Sequence, residues 1–100
     1  MAVVRGDTCS WTFKGIDASK IEQLIIDFTQ GGKIIHEKNL SDCEIVDNSI
    51  YTRLSQEETL ALEPNKDMHI KLRFKLGDSD ISSSQTINEY VEDTYNETII

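Results

Sequence analysis

One hundred residues suffice for one domain around one core and not for two. At 38% apolar residues that core is thin, and a formal charge of -8, from 18 acids against 10 bases, disfavours nucleic acid and anionic membranes as partners, since both call for a cationic surface. No stretch approaches the ~20 apolar residues of a membrane helix, and Met1–Asp7 lacks the basic start and apolar run of a secretion signal, so a soluble cytoplasmic protein is expected.

Thr8–Lys14 reads as the first strand, with Cys9, Trp11 and Phe13 on one face and Ser10 and Thr12 on the other. Gly15–Lys20 is a connection. Ile21–Gln30 has Leu24, Ile26 and Phe28 in one phase. Gly31-Gly32 then marks a hairpin, because glycine reaches the positive φ that a tight turn needs, and Lys33–Lys38 is the returning strand. Cys43–Val46 and Ser49–Leu54 are two short runs split by the turn pair Asp47-Asn48. The period then changes. Ser55-Gln56-Glu57-Glu58 matches a capping box, Leu54 and Thr59-Leu60 suit a hydrophobic staple, and Pro64 ends the segment, which predicts a short helix over Ser55–Leu62.

Asp67–Leu76 is the strongest element. Met68, Ile70, Leu72, Phe74 and Leu76 alternate with His69, Lys71, Arg73 and Lys75, the signature of an antiparallel strand with one buried and one wet face. Gly77–Asp80 is a glycine-led turn. A last strand is expected over roughly Ile81–Val91, despite the serine run Ser82–Ser84, with residues 92–100 a loose or partner-bound end. Six or seven short strands with a turn signal about every ten residues describe a β-sandwich or small barrel, with Trp11, Phe13, Leu24, Ile26, Phe28, Ile70, Leu72 and Phe74 in its core.

Short motifs add little chemistry. Arg5-Gly6-Asp7 matches a cell-adhesion tripeptide, but a turn before the first strand explains it. Asn39-Leu40-Ser41 and Asn96-Glu97-Thr98 match the glycosylation pattern and, without a secretion route, only mark surface positions. His36 and His69 lack metal-ligand spacing, and Asp78, Asp80 and Ser82 lack the remaining positions of a calcium loop. Cys9 and Cys43 are too few for a disulfide framework; Cys9 reads as a small core residue. No nucleophile–base set, phosphate loop or dinucleotide fingerprint occurs, so no catalytic residue, metal or cofactor is assigned and an enzyme is not expected.

The charges point to an interaction surface instead. His69, Lys71, Arg73 and Lys75 form one row on the outer face of the long strand. Residues 77–100 contain six acids and no base, Glu89, Glu92, Asp93 and Glu97 among them. These eight residues are the candidate surface, with the charge separation orienting a neighbouring subunit or partner, acid end toward basic face. The competing account is pairing within the chain, or plain solvation.

The order of the pieces is also informative. Gly6-Asp7-Thr8 precedes an aromatic strand. Ile26-Asp27-Phe28-Thr29-Gln30-Gly31-Gly32-Lys33-Ile34 forms a strand–turn–strand, and Leu54-Ser55-Gln56-Glu57-Glu58-Thr59-Leu60 leads to Ile70-Lys71-Leu72-Arg73-Phe74-Lys75. Over about residues 6–91 this resembles small β-sandwich proteins of phages and prophages of Gram-positive bacteria, and it is similar to the N-terminal domain of phage baseplate upper proteins. The resemblance implies an all-β, Ig-like antiparallel sandwich of six to seven strands with one short helical turn near residues 55–62. It also implies a virion building block or assembly accessory that associates with itself or with other phage structural proteins, made in the bacterial cytoplasm. The rival readings are a monomeric cytoplasmic adaptor or regulator binding one protein, and a small carbohydrate-binding sandwich. The last calls for exposed aromatics, and only Tyr51, Tyr90 and Tyr95 fall outside the apolar phases.

Overall fold

Period-two alternation builds most of this chain. The computed structural model describes every residue except Met1, Asp78, Ser79 and Gln85. The described residues contain nine strands: β1 (Ala2–Val4), β2 (Cys9–Phe13), β3 (Ile21–Gln30), β4 (Lys33–Asn39), β5 (Glu44–Val46), β6 (Ser49–Leu54), β7 (Lys66–Leu76), β8 (Ile81–Ser83) and β9 (Ile87–Glu92). One sheet has the order β1-β9-β7-β3-β4, with β8 also on β7; the other has the order β2-β6-β5. The inward phases of both sheets form one core cluster, including Trp11 and Ile50 from the smaller sheet and Ile26, Phe28, Ile70 and Leu72 from the larger.

Both predicted hairpins form as the turn chemistry demands. Gly31 and Gly32 take φ of 57° and 78°, and Asp47 and Asn48 take 48° and 66°. Two consecutive left-handed residues give a turn whose twist matches that of the flanking strands.

The helix α1 spans Gln56–Leu60, shorter than expected, and its capping box closes as the sequence predicts. Ser55 Oγ accepts from the Glu58 amide at 3.2 Å, and Glu58 Oε1 accepts from the Ser55 amide at 2.9 Å. Leu54 and Thr59 are both fully buried. Thr59 Oγ1 also accepts from the Gly6 amide at 2.9 Å and donates to the Asp7 carbonyl at 2.8 Å, tying α1 to the N-terminal turn. Ser55→Ala is expected to lower stability by about 0.5–2 kcal/mol and leave association intact. Urea unfolding with sedimentation of the same variant checks this; lost association at unchanged stability would make the turn a contact site.

Three expectations change. First, β1 has no local signal beyond Val3 and Val4. It pairs parallel to β9, with Val3 opposite Val91, and Val3 is fully buried. Second, the strand expected over Ile81–Val91 is two strands along one edge of β7: β8 meets Arg73–Lys75 and β9 meets Lys66–Ile70. The break follows the serine run, where Ser84 uses its hydroxyl as well as its backbone: Oγ accepts from the Leu72 amide at 3.1 Å and its own amide donates to the Leu72 carbonyl at 2.9 Å. Third, Phe74 leaves the set of fully buried core residues. It is half-buried, because its cross-strand neighbour is Ser82 of the exposed β8. Part of the Gly77–Asp80 turn, with the calcium-like Asp78, lies outside the described residues.

Candidate functional site

The long strand puts its basic row where the alternation requires. Met68, Ile70 and Leu72 are fully buried, so His69, Lys71 and Arg73 face outward and are exposed, with Lys75 half-buried. His69 Nδ1 donates to Asn88 Oδ1 on β9. Among the described residues, the ion pairs of the fold involve Arg5, Lys20, Lys38 and Lys66, and none involves Lys71, Arg73 or Lys75.

The acidic half of the candidate surface does not assemble into one patch. Glu92 is exposed at the end of β9. Asp93 and Glu97 are held by one guanidinium: Arg5 Nη1 donates to Asp93 Oδ1 at 2.8 Å, and Arg5 Nη2 donates to Glu97 Oε2 at 3.0 Å. Arg5 Nη2 also donates to the Leu60 carbonyl at 2.8 Å, so the arginine joins the turn after β1, the end of α1 and the segment after β9. The hydrogen bond from Arg5, reinforced by the Thr94 amide, holds the Asp93 carboxyl below its usual range. The Arg of the adhesion-like tripeptide is thus a structural cross-link. Residues 93–100 form no helix or strand, yet they are tied back here and where the Ile100 amide donates to Gln56 Oε1 at 3.2 Å.

Glu89 is a correction. Only 7% exposed, it faces inward on β9 between Ile87 and Val91, and Trp11 Nε1 donates to its Oε2 at 3.4 Å. A period-two reading anchored on Ile87 and Val91 places it inside; its charge argued for the surface and hid the phase.

A second cluster is not legible in the sequence. An open cleft of about 600 Å³ beside β4, β6 and α1 is lined by Lys38, Asp42, Glu44, Tyr51, Arg53 and Glu58. Lys38 Nζ donates to Glu58 Oε2 at 2.6 Å, and His36 Nε2 donates to the Glu58 carbonyl at 2.7 Å. Spacing along the chain does not signal these contacts, because β4 and α1 meet only through the fold. Burial alone raises the Glu58 pKa, but the Lys38 ammonium and the Ser55 amide outweigh it, and the net shift is downward. A depressed folded-state pKa contributes stability that is fully present above the ordinary carboxylate value of about 4.3 and is lost as pH falls through the folded value. The stability difference between pH 7 and pH 3, from urea midpoints, is therefore expected to shrink in Glu58→Gln. An equal acid loss in both proteins would show the pair contributes nothing.

Cys9 and Cys43 are free, half-buried thiols. Burial pushes both pKa values up, helped at Cys9 by the nearby Glu89 carboxylate and opposed at Cys43 by the Thr52 hydroxyl. Raised thiol pKa values make weak nucleophiles. Among the described residues no three His, Cys, Asp or Glu side chains gather as a metal site, and no helix is long and apolar enough to cross a membrane.

No protein-family model matches the chain, and no curated protein matches it. Solved structures do. The Ig-like domain of mouse leukocyte-associated immunoglobulin-like receptor 1, crystallised as a strand-swapped dimer, is similar over 91% of this chain and 85% of that one, at 12% identity and a TM-score of 0.54. The V domain of amphioxus IgVJ-C2 aligns over 92% of this chain and 99% of its own, at 10% identity and a TM-score of 0.40. The strand order follows the general Ig plan: β3, β7 and β9 stand as the C, F and G strands of one sheet with β4 as an added edge, and β2, β6 and β5 stand as B, E and D of the other. In place of the disulfide and strand-C tryptophan of antibody domains, Trp11 on β2 packs against Phe28 on β3, with ring centroids 5.4 Å apart. The chain is an Ig-like β-sandwich, two sheets with one short helix.

Proposed function

We propose that this domain is a non-enzymatic association module, a building block or assembly accessory of a phage or prophage tail or baseplate that binds itself or neighbouring structural proteins. The observation that supports this best is the set of open sheet edges. The larger sheet ends on β1 and β4 and the smaller on β2 and β5. At the β4 and β5 edges, Ile34, Ile45 and Val46 remain 59%, 40% and 55% exposed. Unpaired edge strands carrying apolar side chains are templates for another chain. The phage setting rests on the sequence resemblance, and the net charge of -8 argues against nucleic acid or membrane as the partner.

The test is sedimentation velocity of the chain alone and mixed with the products of the genes beside its own. A complex in at least one of these samples is expected. A monomer in every mixture would overturn the reading, and a single one-to-one complex with a host protein instead would support an adaptor.

A further inference from the structure

We infer that the outer face of the larger sheet is the interface of a two-fold dimer, in which the basic strand of each copy lies over the acidic strand of the other. This rests on the association reading above and deepens it by naming a face and an occupant, a second copy of this chain.

Strand register lays out the face. Lys71 on β7 stands beside Asp27 on β3, and Asp27 beside Glu37 on β4. One row along, Arg73 stands beside Ile25, and Ile25 beside Asn39. Positive charge therefore runs down β7, and negative charge lies immediately to one side of it. The rim is apolar: Ile34 pairs with Thr29, Ile81 with Lys75 and Tyr90 with Asp67, and these three are 59%, 60% and 44% exposed.

The charges on this face are not neutralised within the chain. Lys71, Asp27 and Glu37 share one cross-strand row and Arg73 lies two residues further along β7, yet none of the four enters the ion pairs formed among the described residues. Asp27 Oδ1 is withdrawn from water and accepts no hydrogen bond. An acceptor left in that state is costly, and an approaching cation relieves the cost.

Symmetry decides the occupant. A two-fold axis parallel to the strands, above the boundary between β7 and β3, leaves positions along the strands unchanged and exchanges the two sides of the boundary. Lys71 of one copy then lies over Asp27 of the other, and the reverse contact repeats it, as a self-complementary interface requires. Arg73 lies over Ile25, where its stem covers the half-buried side chain. An axis centred on β7 itself would oppose like charges. The area also suffices: the six strands of this sheet, two of 10 and 11 residues and the rest of 3 to 7, give a footprint of roughly 650 Å² per copy, at the lower end of the range of specific interfaces.

The test uses the full chain and two charge-reversed forms, Lys71→Glu with Arg73→Glu and Asp27→Lys with Glu37→Lys. Circular dichroism and melting establish folding, and Asp27→Asn with Glu37→Lys replaces the second form if the half-buried Asp27→Lys change unfolds it. Sedimentation should show a wild-type dimer that weakens as salt rises from about 0.1 to 1 M, where the Debye length shrinks from about 10 to 3 Å. Each reversed form should dissociate at least tenfold more readily. An equimolar mixture of the two should regain the dimer, because the two-fold contact then again sets acid against base at these positions. A mixture that stays monomeric overturns the pairing. Undiminished self-association in both folded variants overturns this face and leaves the association reading standing. A monomeric wild type overturns the dimer, and the mixing experiment with neighbouring gene products then decides the broader reading by itself.

Discussion

Phe28→Ala is expected to cost about 3–5 kcal/mol of unfolding free energy, whereas Phe74→Ala costs only about 1–2 kcal/mol. Both are phenylalanines on the inward phase of long neighbouring strands, and from the alternation alone they are equivalent. The structure separates them. Phe28 is fully buried near the middle of the larger sheet, flanked by Ile70 of β7 and His36 of β4, and its ring meets Trp11 of the opposite sheet at 5.4 Å with a tilt of 52°. Removing it opens a cavity between the sheets and releases the tryptophan. Phe74 lies toward the open end of β7, beside the three exposed residues of β8, so its space is already partly solvent. A domain of this size has a total stability of about 5–15 kcal/mol, so the first variant will be near its folding limit at 25 °C and the second will not. Urea midpoints of the two proteins provide the comparison. Equal losses would show that the Trp11–Phe28 contact is not the centre of the core.

Gln30→Ala is expected to lose about 2–3 kcal/mol, close to the effect of a core truncation, although it removes no large apolar group. Gln30 is 2% exposed. Its Nε2 donates to the Glu63 carbonyl at 2.9 Å, and its Oε1 accepts from the Glu63 amide at 2.8 Å. The side-chain amide thereby acts as one more backbone unit and fastens the segment after α1 to the end of β3. Truncation strands a donor and an acceptor together. Gln30→Glu makes a sharper control, since a carboxylate still accepts from the Glu63 amide but repels the carbonyl. It should be destabilised at pH 7 and partly recover as the carboxyl is protonated. If Gln30→Ala melts with the wild type, water replaces both bonds and the segment does not depend on them.

Much of the larger sheet is legible in side-chain periodicity alone. Ile21–Gln30 reads as a strand with the bounds it has, and both hairpin turns sit where Gly31-Gly32 and Asp47-Asn48 put them. The capping box at Ser55 closes with both reciprocal bonds. The basic row of His69, Lys71, Arg73 and Lys75 follows from the alternation of Asp67–Leu76. Each of these features is local, set by period-two spacing or by the φ preferences of two adjacent residues, and needs no partner distant in the chain to be recognised.

The tertiary structure decided everything that depends on distant partners. Val3 is a core residue only because β1 lies parallel to β9, nearly ninety positions away, and no local pattern in three residues encodes that pairing. Arg5 is a cross-link to Asp93 and Glu97 rather than a free cation, which divides the acidic patch the sequence suggests. Glu89 turns inward because strand phase outranks charge once buried Val91 and half-buried Ile87 share its face, and the Trp11 indole from the other sheet meets its carboxylate. The acids beside the basic row are Asp27 and Glu37, brought there by strand register rather than by nearness in the chain. Periodicity states which face a residue takes on its own strand. Only the pairing of strands states which residues share that face, and so which charges meet.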